Sequence, residues 1–243
     1  MQALTFYFDP ISPYAYLAFE QLPEALAGLS VNVAYKPVLF GAMLSANGQK
    51  GPAEIAGKRE WTYRQVLWQA QHLGIPMAMP SAHPFNPLAL LRGLLQTANA
   101  RGEVNRYCAE LALRHVWASS TTDVGLDPND PERLQAIGAA LHQHMQQRGD
   151  TLQTLDQAKA LLRANTDEAL AAGVFGVPTV VVYPDVQPAA QSGQAAAALQ
   201  TTPYVFWGLD ALPMLGDCLR GSPWFAGASW QAMAQVPVGI ARQ

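Results

Sequence analysis

Segments with the composition of β-strands lie near the two ends of this 243-residue chain, and their position constrains the fold more than any other feature. Short runs rich in β-branched, aromatic and other apolar residues occupy positions 4–8, 31–35, 180–183 and 204–207. The long stretch between the second and third runs follows helical spacing, with apolar residues three and four apart. This order predicts an α/β protein in which both ends contribute strands to one mixed sheet.

The helical middle is an insertion into the domain that holds the sheet. We predict a discontinuous sheet-containing domain, residues 1–40 and 173–243, and an all-helical insertion domain, residues 41–172. The spacing predicts two buried helical faces, formed by Tyr63, Val66, Leu67 and Ala70, and by Leu134, Ile137, Leu141 and Met145. The segment 184–203 is rich in Ala, Gln, Ser and Pro, which predicts a long, weakly structured connection.

The composition excludes several classes of protein. Half of the residues are hydrophobic, only 14% are charged and the net charge is −3, which excludes a largely disordered chain. Since the sequence has no basic stripe, we expect no nucleic-acid partner. We find neither a signal-peptide pattern nor an apolar run of bilayer length, which predicts a cytoplasmic protein without a membrane partner.

Cysteine and histidine suggest no chemistry of their own. Cys108 and Cys218 lie far apart in sequence, which fits a reducing compartment and gives no disulfide framework. The five histidines lack the spacing of metal ligands, and His72, His83 and His115 each stand alone. We therefore expect no metal site.

The first candidate site is the turn Asp-Pro-Ile-Ser-Pro-Tyr at residues 9–14, which joins the first strand to a helix. Backbone N–H groups at the N-terminus of a helix favour an anion. The hydroxyl group of Ser12 can donate a further hydrogen bond to a bound thiolate. The alternative is that Ser12 serves only as the N-cap of the helix that opens with Pro13.

Two further candidates lie beside the late strands. A cis bond between Val177 and Pro178 would expose the Val177 backbone N–H and C=O to an extended, peptide-like ligand. The alternative there is an ordinary trans proline at the start of a strand. Gly208, Leu209 and Asp210 precede the last helix. The Asp210 carboxylate is a candidate either for the N-cap of that helix or for pairing with the ammonium group of a ligand.

Five stretches of the chain together resemble the kappa-class glutathione transferases and the related 2-hydroxychromene-2-carboxylate isomerases, within the DsbA-like thioredoxin superfamily. These stretches are FDPISPYAYLAF, KPVLFGAM, HPFNPLALLRG, GVFGVPT and FWGLDAL, and in this order they cover nearly the whole chain. GVFGVPT is shared with a wider group of disulfide oxidoreductases. The SPY turn together with HPFNPLALLR is typical of the isomerases.

The resemblance implies a thioredoxin-like fold with an inserted all-helical domain, glutathione as cofactor, and a homodimer. It implies a catalytic role for Ser12, and a cofactor site formed by Ser12, Val177, Pro178, Gly208, Leu209 and Asp210. The substrate contacts that it implies are Asn47, Gln49, Lys58 and Asn86. This sequence departs from the family's GN-Pro-Pro pattern, so either Asn47 or Gln49 is the counterpart of the family's asparagine.

The activity that the resemblance implies is glutathione-dependent cis–trans isomerisation of an aromatic acid similar to 2-hydroxychromene-2-carboxylate, as in the breakdown of fused-ring aromatics. Two alternatives stay open: a kappa-type transferase that conjugates electrophiles, and a non-catalytic glutathione-binding protein. A self-contained dithiol oxidoreductase is excluded, because the turn at residues 12–15 contains no cysteine.

Overall fold

The sheet joins both ends of the chain, as predicted. The computed structural model describes residues 1–118, 125–183, 202–237 and 239. Its strands are β1 (Gln2–Phe8), β2 (Val31–Pro37), β3 (Thr179–Val182) and β4 (Tyr204–Trp207), in the spatial order β2-β1-β3-β4. β1 is parallel to β2 and antiparallel to β3, and β4 is antiparallel to β3. The prediction of one mixed sheet is therefore confirmed.

One helix connects β1 to β2, a block of helices lies between β2 and β3, and two helices follow β4. In chain order they are α1 (Pro13–Ala25), α2 (Phe40–Ala46), α3 (Ala56–Leu73), α4 (Leu88–Leu95), α5 (Arg106–Trp117), α6 (Pro131–Arg148), α7 (Leu155–Ala171), α8 (Leu212–Leu219) and α9 (Ala228–Met233). None of the helices in the described ranges is long and apolar enough to cross a bilayer. The predicted connection 184–203 lies almost entirely outside the described residues.

The two faces of the sheet pack against different apolar clusters. In β1, Phe6 and Phe8 are buried within the main core, together with the buried side chains of α1. Tyr7 points to the opposite face and packs in a smaller cluster that includes Val174 and Val177. This alternation follows from the two-residue period of a strand. Because both faces of β1 are covered, the turn that follows Phe8 starts from a rigid support.

The predicted apolar faces are confirmed for α6 and only in part for α3. Ile137, Leu141 and Met145 of α6 are all buried. In α3, Val66 is fully buried, whereas Leu67 is 39% exposed, so the prediction that Leu67 belongs to the buried face is wrong. The helix packs through a narrow stripe of residues four apart, and the next residue along the chain already turns toward solvent.

Candidate functional site

Ser12 lies at the start of α1, directly after the turn that ends β1. It is the N-cap of the helix: its Oγ accepts a hydrogen bond from the Ala15 N–H at 3.2 Å, and Pro13 follows in the first turn. Ser12 is only 7% exposed. Its O–H donates to the carbonyl oxygen of Val177 at 3.3 Å. The capping role predicted as an alternative is therefore present, and it leaves the hydroxyl proton available for another acceptor.

The Val177–Pro178 peptide bond is cis, which confirms the prediction from the sequence. Val177 is 7% exposed, and in the part of the chain that the structure describes its backbone N–H donates to no acceptor. Its carbonyl oxygen uses one lone pair for Ser12 and keeps the other. The Val177 peptide units thus present one donor and one acceptor beside the Ser12 hydroxyl.

The loop before α8 reaches this place through Gly208. The Gly208 N–H donates to the carbonyl oxygen of Pro178 at 3.0 Å, and Gly208 adopts a φ of 96°, which favours glycine. A Cβ at this position would lie 2.5 Å from Oδ1 of Asp210. Any side chain at residue 208 would therefore displace the Asp210 carboxylate.

Asp210 belongs to a single 3-10 turn, Leu209–Ala211, that precedes α8. The N-cap of α8 is Ala211, so the interpretation of Asp210 as the N-cap of this helix is wrong, and α8 is followed by a further helix, α9. The reason is physical: the extra tight turn moves the start of the α-helix two residues beyond the aspartate. The carboxylate is therefore not used as the N-cap and lies at the surface.

A cleft of about 400 Å³ opens beside Asp210, between α1, α3 and the turn that holds the aspartate. On its α3 side, the Oε1 atom of Gln69 is buried and has no hydrogen-bond partner among the described residues. Nearby, the Tyr14 hydroxyl donates to Oε1 of Gln65 at 2.6 Å. Burial, opposed by Thr62 and assisted by the charge of Asp210, raises the pKa of Tyr14. Two acidic side chains, Asp210 and Glu24, line this cleft, so it favours a cationic group.

Asp9 is a buried carboxyl group that sequence reasoning missed, since it was interpreted only as the end of a strand. It is fully buried, and its Oδ1 and Oδ2 accept hydrogen bonds from the N–H groups of Ile11 and Phe40, each at 3.0 Å. Burial raises the pKa of Asp9 to about 7, although the two N–H donors favour the charged form. Asp9 thus fastens the turn before Ser12 to the start of α2.

His83 is a second residue whose role the sequence does not indicate. Its Nε2 lies 2.8 Å from the carbonyl oxygen of Ile11, and its Nδ1 lies 2.8 Å from the hydroxyl oxygen of Tyr63. The sequence signal for His83 is its position at the start of HPFNPLALLR, a stretch typical of the isomerases. The imidazole connects the helical block to the turn that presents Ser12.

The four residues predicted to contact a substrate are Asn47, Gln49, Lys58 and Asn86, and all four are exposed. Asn47 is the C-cap of α2, and its Nδ2 donates to the carbonyl oxygen of Met43 at 2.9 Å. The Oδ1 of Asn86 accepts from the Leu88 N–H at 3.1 Å, at the start of α4. Among the described residues, none of the four forms a hydrogen bond with Ser12. Their contact with a substrate stays a prediction.

The sheet order, the capped turn at Ser12 and the cis-proline that faces it together define a class of protein, the thioredoxin-like fold with helices inserted between β2 and β3. The model of the DSBA-like thioredoxin domain family matches residues 3–219, and the chain belongs to this family. The predicted fold class is therefore confirmed.

Similar proteins carry two kinds of name. Glutathione S-transferase kappa 2 of Caenorhabditis elegans is 25% identical over 225 residues, which cover 90% of this chain and 92% of that protein. The 2-hydroxychromene-2-carboxylate isomerase of Sphingobium xenophagum is 25% identical over 224 residues, which cover 90% of this chain and 98% of that protein. A solved 2-hydroxychromene-2-carboxylate isomerase superimposes with a TM-score of 0.61 at 19% identity, covering 92% of this chain and 98% of its own.

Proposed function

We propose that this protein is a glutathione-dependent isomerase of a small aromatic acid similar to 2-hydroxychromene-2-carboxylate. The observation that carries the proposal is the junction of three distant segments. Ser12 is hydrogen-bonded to Val177, and the adjoining Pro178 is hydrogen-bonded to Gly208. These are the residues that the motifs selected, and the relatives include both a kappa-class glutathione transferase and the isomerase itself.

In the proposed complex, glutathione lies extended across the junction. Its cysteinyl N–H and C=O pair with the Val177 C=O and N–H, as a strand adds to the edge of a sheet. Its γ-glutamyl α-ammonium group, which has three N–H donors, points toward Asp210 and the acceptors of the adjacent cleft. Lys58 meets the glycyl carboxylate. The unused N–H of Val177 and the acidic side chains of Asp210 and Glu24 that line the cleft support this orientation.

Ser12 makes the glutathione sulfur nucleophilic in this proposal. A free thiol has a pKa near about 8.5 and is mostly protonated at neutral pH. The Ser12 hydroxyl turns from the Val177 carbonyl to the sulfur, and the N-terminus of α1 adds its partial positive charge. Both contacts favour the thiolate. The nucleophile is thus the cofactor's sulfur, and Ser12 lowers the pKa of its thiol.

The thiolate then isomerises the substrate by addition and elimination. The hemiketal ring of the substrate first opens to a phenol and a ketone conjugated with the double bond. The sulfur then forms a C–S bond to one carbon of that double bond, and the electron pair moves onto the ketone oxygen. The former double bond is now single and rotates. When the electrons return, the C–S bond breaks, the double bond forms in the other geometry and the thiolate is released. Because no atom or electron is gained or lost overall, glutathione is regenerated.

An absorbance assay of a chromene-carboxylate with limiting glutathione tests the proposal. With glutathione at a few per cent of the substrate concentration, conversion to the equilibrium mixture of the two isomers is expected. Consumption of one glutathione per turnover would instead identify a conjugating transferase, the second candidate, which the kappa-class relative favours. Tight glutathione binding without turnover of either substrate class would identify a non-catalytic binding protein.

The remaining assignments concern the assembly. The sheet-containing domain comprises residues 1–40 and 173–243, and the helical insertion comprises residues 41–172. Trp61 and Trp68 lie seven residues apart on one side of α3, are 65% and 62% exposed, and support a homodimer through that face. The free cysteines fit the reducing cytoplasm. Sedimentation of wild type and of a W61E/W68E variant tests the dimer, which the double substitution should dissociate.

A further inference from the structure

The turn that presents Ser12 is held by two nitrogen donors from the helical block. The indole Nε1–H of Trp117, at the end of α5, donates to the carbonyl oxygen of Pro10 at 2.8 Å. His83, in the loop before α4, contacts the carbonyl oxygen of Ile11 at 2.8 Å through Nε2. Neither contact is a consequence of the sheet. Both place the orientation of the turn under the control of residues far from it in sequence.

The tautomer of His83 follows from its partners. A carbonyl oxygen only accepts, so Nε2 must carry a proton to bond with Ile11. Nδ1 of the neutral ring is then an acceptor, and it shares the proton of the Tyr63 hydroxyl with the carbonyl oxygen of His83, each 2.8 Å from the hydroxyl oxygen. Burial lowers the pKa of His83, against the raising effect of the bond to Ile11. The neutral Nε2–H form is therefore the one that the surroundings select.

The bond to Ile11 acts on Ser12 through a single peptide group. The Ile11 carbonyl and the Ser12 N–H belong to the same planar unit, and this N–H donates to the Asp9 carbonyl oxygen at 3.0 Å. With both ends of the plane held, the position of the Ser12 Cα is held, and the capping bond from the Ala15 N–H to Oγ restrains its side chain. We propose that His83, held by Tyr63, is a positioning residue that aims the Ser12 hydroxyl at the site of the glutathione sulfur.

Position 83 requires a hydrogen-bond donor as well as a bulky side chain. The His83 ring packs against the rings of Tyr63, Phe85 and Trp117, with centroids 5.4, 6.2 and 5.5 Å away. An apolar side chain would suit those neighbours equally well. Only a side chain with a donor at the Nε2 position also satisfies the Ile11 carbonyl. The inference rests on the proposed function for its catalytic part, and on geometry alone for the hydrogen bond.

The central experiment compares His83→Leu with His83→Gln. Leucine keeps an apolar side chain and removes the donor, whereas glutamine places an N–H group near the position of Nε2. The readout is the thiol pKa of enzyme-bound glutathione, which is measured from the absorbance of the thiolate as a function of pH. We expect the Leu variant to raise this pKa by about one unit, the value of one ordinary hydrogen bond, and the Gln variant to stay close to wild type. A folded Leu variant with the wild-type thiol pKa would overturn the proposal.

Tyr63→Phe provides a second test that leaves the imidazole in place. Without the Tyr63 hydroxyl, the imidazole keeps its bond to the Ile11 carbonyl and loses its partner at Nδ1. Nitrogen-15 spectra should still show the Nε2–H form, and the thiol pKa of bound glutathione should rise because the ring is held at one nitrogen only. If His83→Leu fails to fold, this variant decides the question, and an unchanged thiol pKa overturns the proposal that His83, held by Tyr63, positions Ser12.

A measurement without glutathione separates failure of this inference from failure of the proposed function. If wild type does not lower the thiol pKa of glutathione, the proposed function fails. The hydrogen bond is then judged from the amide nitrogen shift of Ser12, whose peptide group contains the Ile11 carbonyl. His83→Leu should move that shift and His83→Gln should restore it. Equal shifts in the two variants would show that His83 does not position Ser12.

Discussion

The hydroxyl group of Ser12 donates a hydrogen bond to the carbonyl oxygen of Val177 at 3.3 Å, between residues 165 positions apart. Bonds between a hydroxyl donor and an oxygen acceptor are usually about 2.7–2.8 Å long, so this one is weak. A thiolate is a charged and stronger acceptor, and it can take the proton at little cost. The contact therefore orients the hydroxyl toward the junction and leaves it able to donate to a stronger acceptor.

Removal of the Ser12 hydroxyl should raise the thiol pKa of bound glutathione. A hydrogen bond to a charged group is worth about 1.5–3 kcal/mol, so Ser12→Ala should raise this pKa by about one to two units. The loss of the N-cap should also destabilise the protein by about 1 kcal/mol. Thr154→Ala is the control, because Thr154 caps α7 through the Gln157 N–H. It should lower stability similarly and leave the thiol pKa unchanged.

Gly208 should tolerate alanine less well than Gly149. Gly149 is left-handed helical (φ 72°, ψ 17°), where alanine costs about 1–2 kcal/mol, whereas Gly208 (φ 96°, ψ 167°) lies in a region that is essentially restricted to glycine, so alanine costs more there. Only at Gly208 does the new Cβ meet Asp210, since nothing lies within 4 Å at Gly149. We expect Gly208→Ala to weaken glutathione binding at least about tenfold, through displacement of the carboxylate. Equal affinities for the two variants in calorimetry would contradict this.

The charge of Asp210 should contribute to the affinity for the γ-glutamyl end. Because the carboxylate is exposed, its ion pair is partly screened, and Asp210→Asn should weaken binding by about three- to tenfold. The exposed Asp217 of α8 gives the control, Asp217→Asn, which should bind as wild type. A glutathione analogue without the α-amino group should bind wild type and Asp210→Asn equally. An unequal loss with that analogue would place the ammonium elsewhere.

Asp9 should make the stability of the fold decrease with rising pH. Its pKa is about 7 in the folded protein and 3.8 in the reference state, so the folded protein holds the proton more tightly. The stabilisation that comes from this tightly held proton is fully present below about pH 4 and is lost as the pH rises through about 7. Asp9→Asn does not titrate.

Urea unfolding at a series of pH values measures this effect. Three pKa units separate the folded and reference states of Asp9. Between about pH 4 and about pH 8, the free energy of unfolding of Asp9→Asn should therefore rise by on the order of 4 kcal/mol relative to that of wild type. The comparison cancels the contributions of the other titrating groups. Parallel stability curves for the two proteins would show that Asp9 does not titrate in this range.

The sheet and the turns that meet at Ser12, Pro178 and Gly208 could be predicted because their signals are local. Strand composition at both ends of the chain defined the four strands, and short motifs at turns selected Ser12, Pro178 and Gly208. Turns of this kind require particular residues, so they are recognisable without knowledge of their partners. The alternatives at Asp210 needed the structure, because the 3-10 turn before α8 depends on packing and not on composition.

The contacts that support the site could not be predicted. His83 meets Ile11 across 72 positions, and a single histidine in a proline-rich loop has no period that points to a partner. The fully buried state of Asp9 likewise depends on the start of α2 closing over it. Exposure within α3 was misjudged at Leu67 because apolar spacing specifies a stripe, and the width of that stripe is set by the neighbouring helices.

The sheet is completed by β3 and β4, which come from the late part of the chain. During synthesis, the turn at Ser12 therefore emerges from the ribosome long before the peptide units of Val177 and the loop at Gly208 exist to face it. A polypeptide released before β3 retains the SPY motif and has no opposing backbone with which an extended ligand can pair. Occupancy by such a ligand thus reports that the chain has been made and folded at least through β4 and the loop at Gly208.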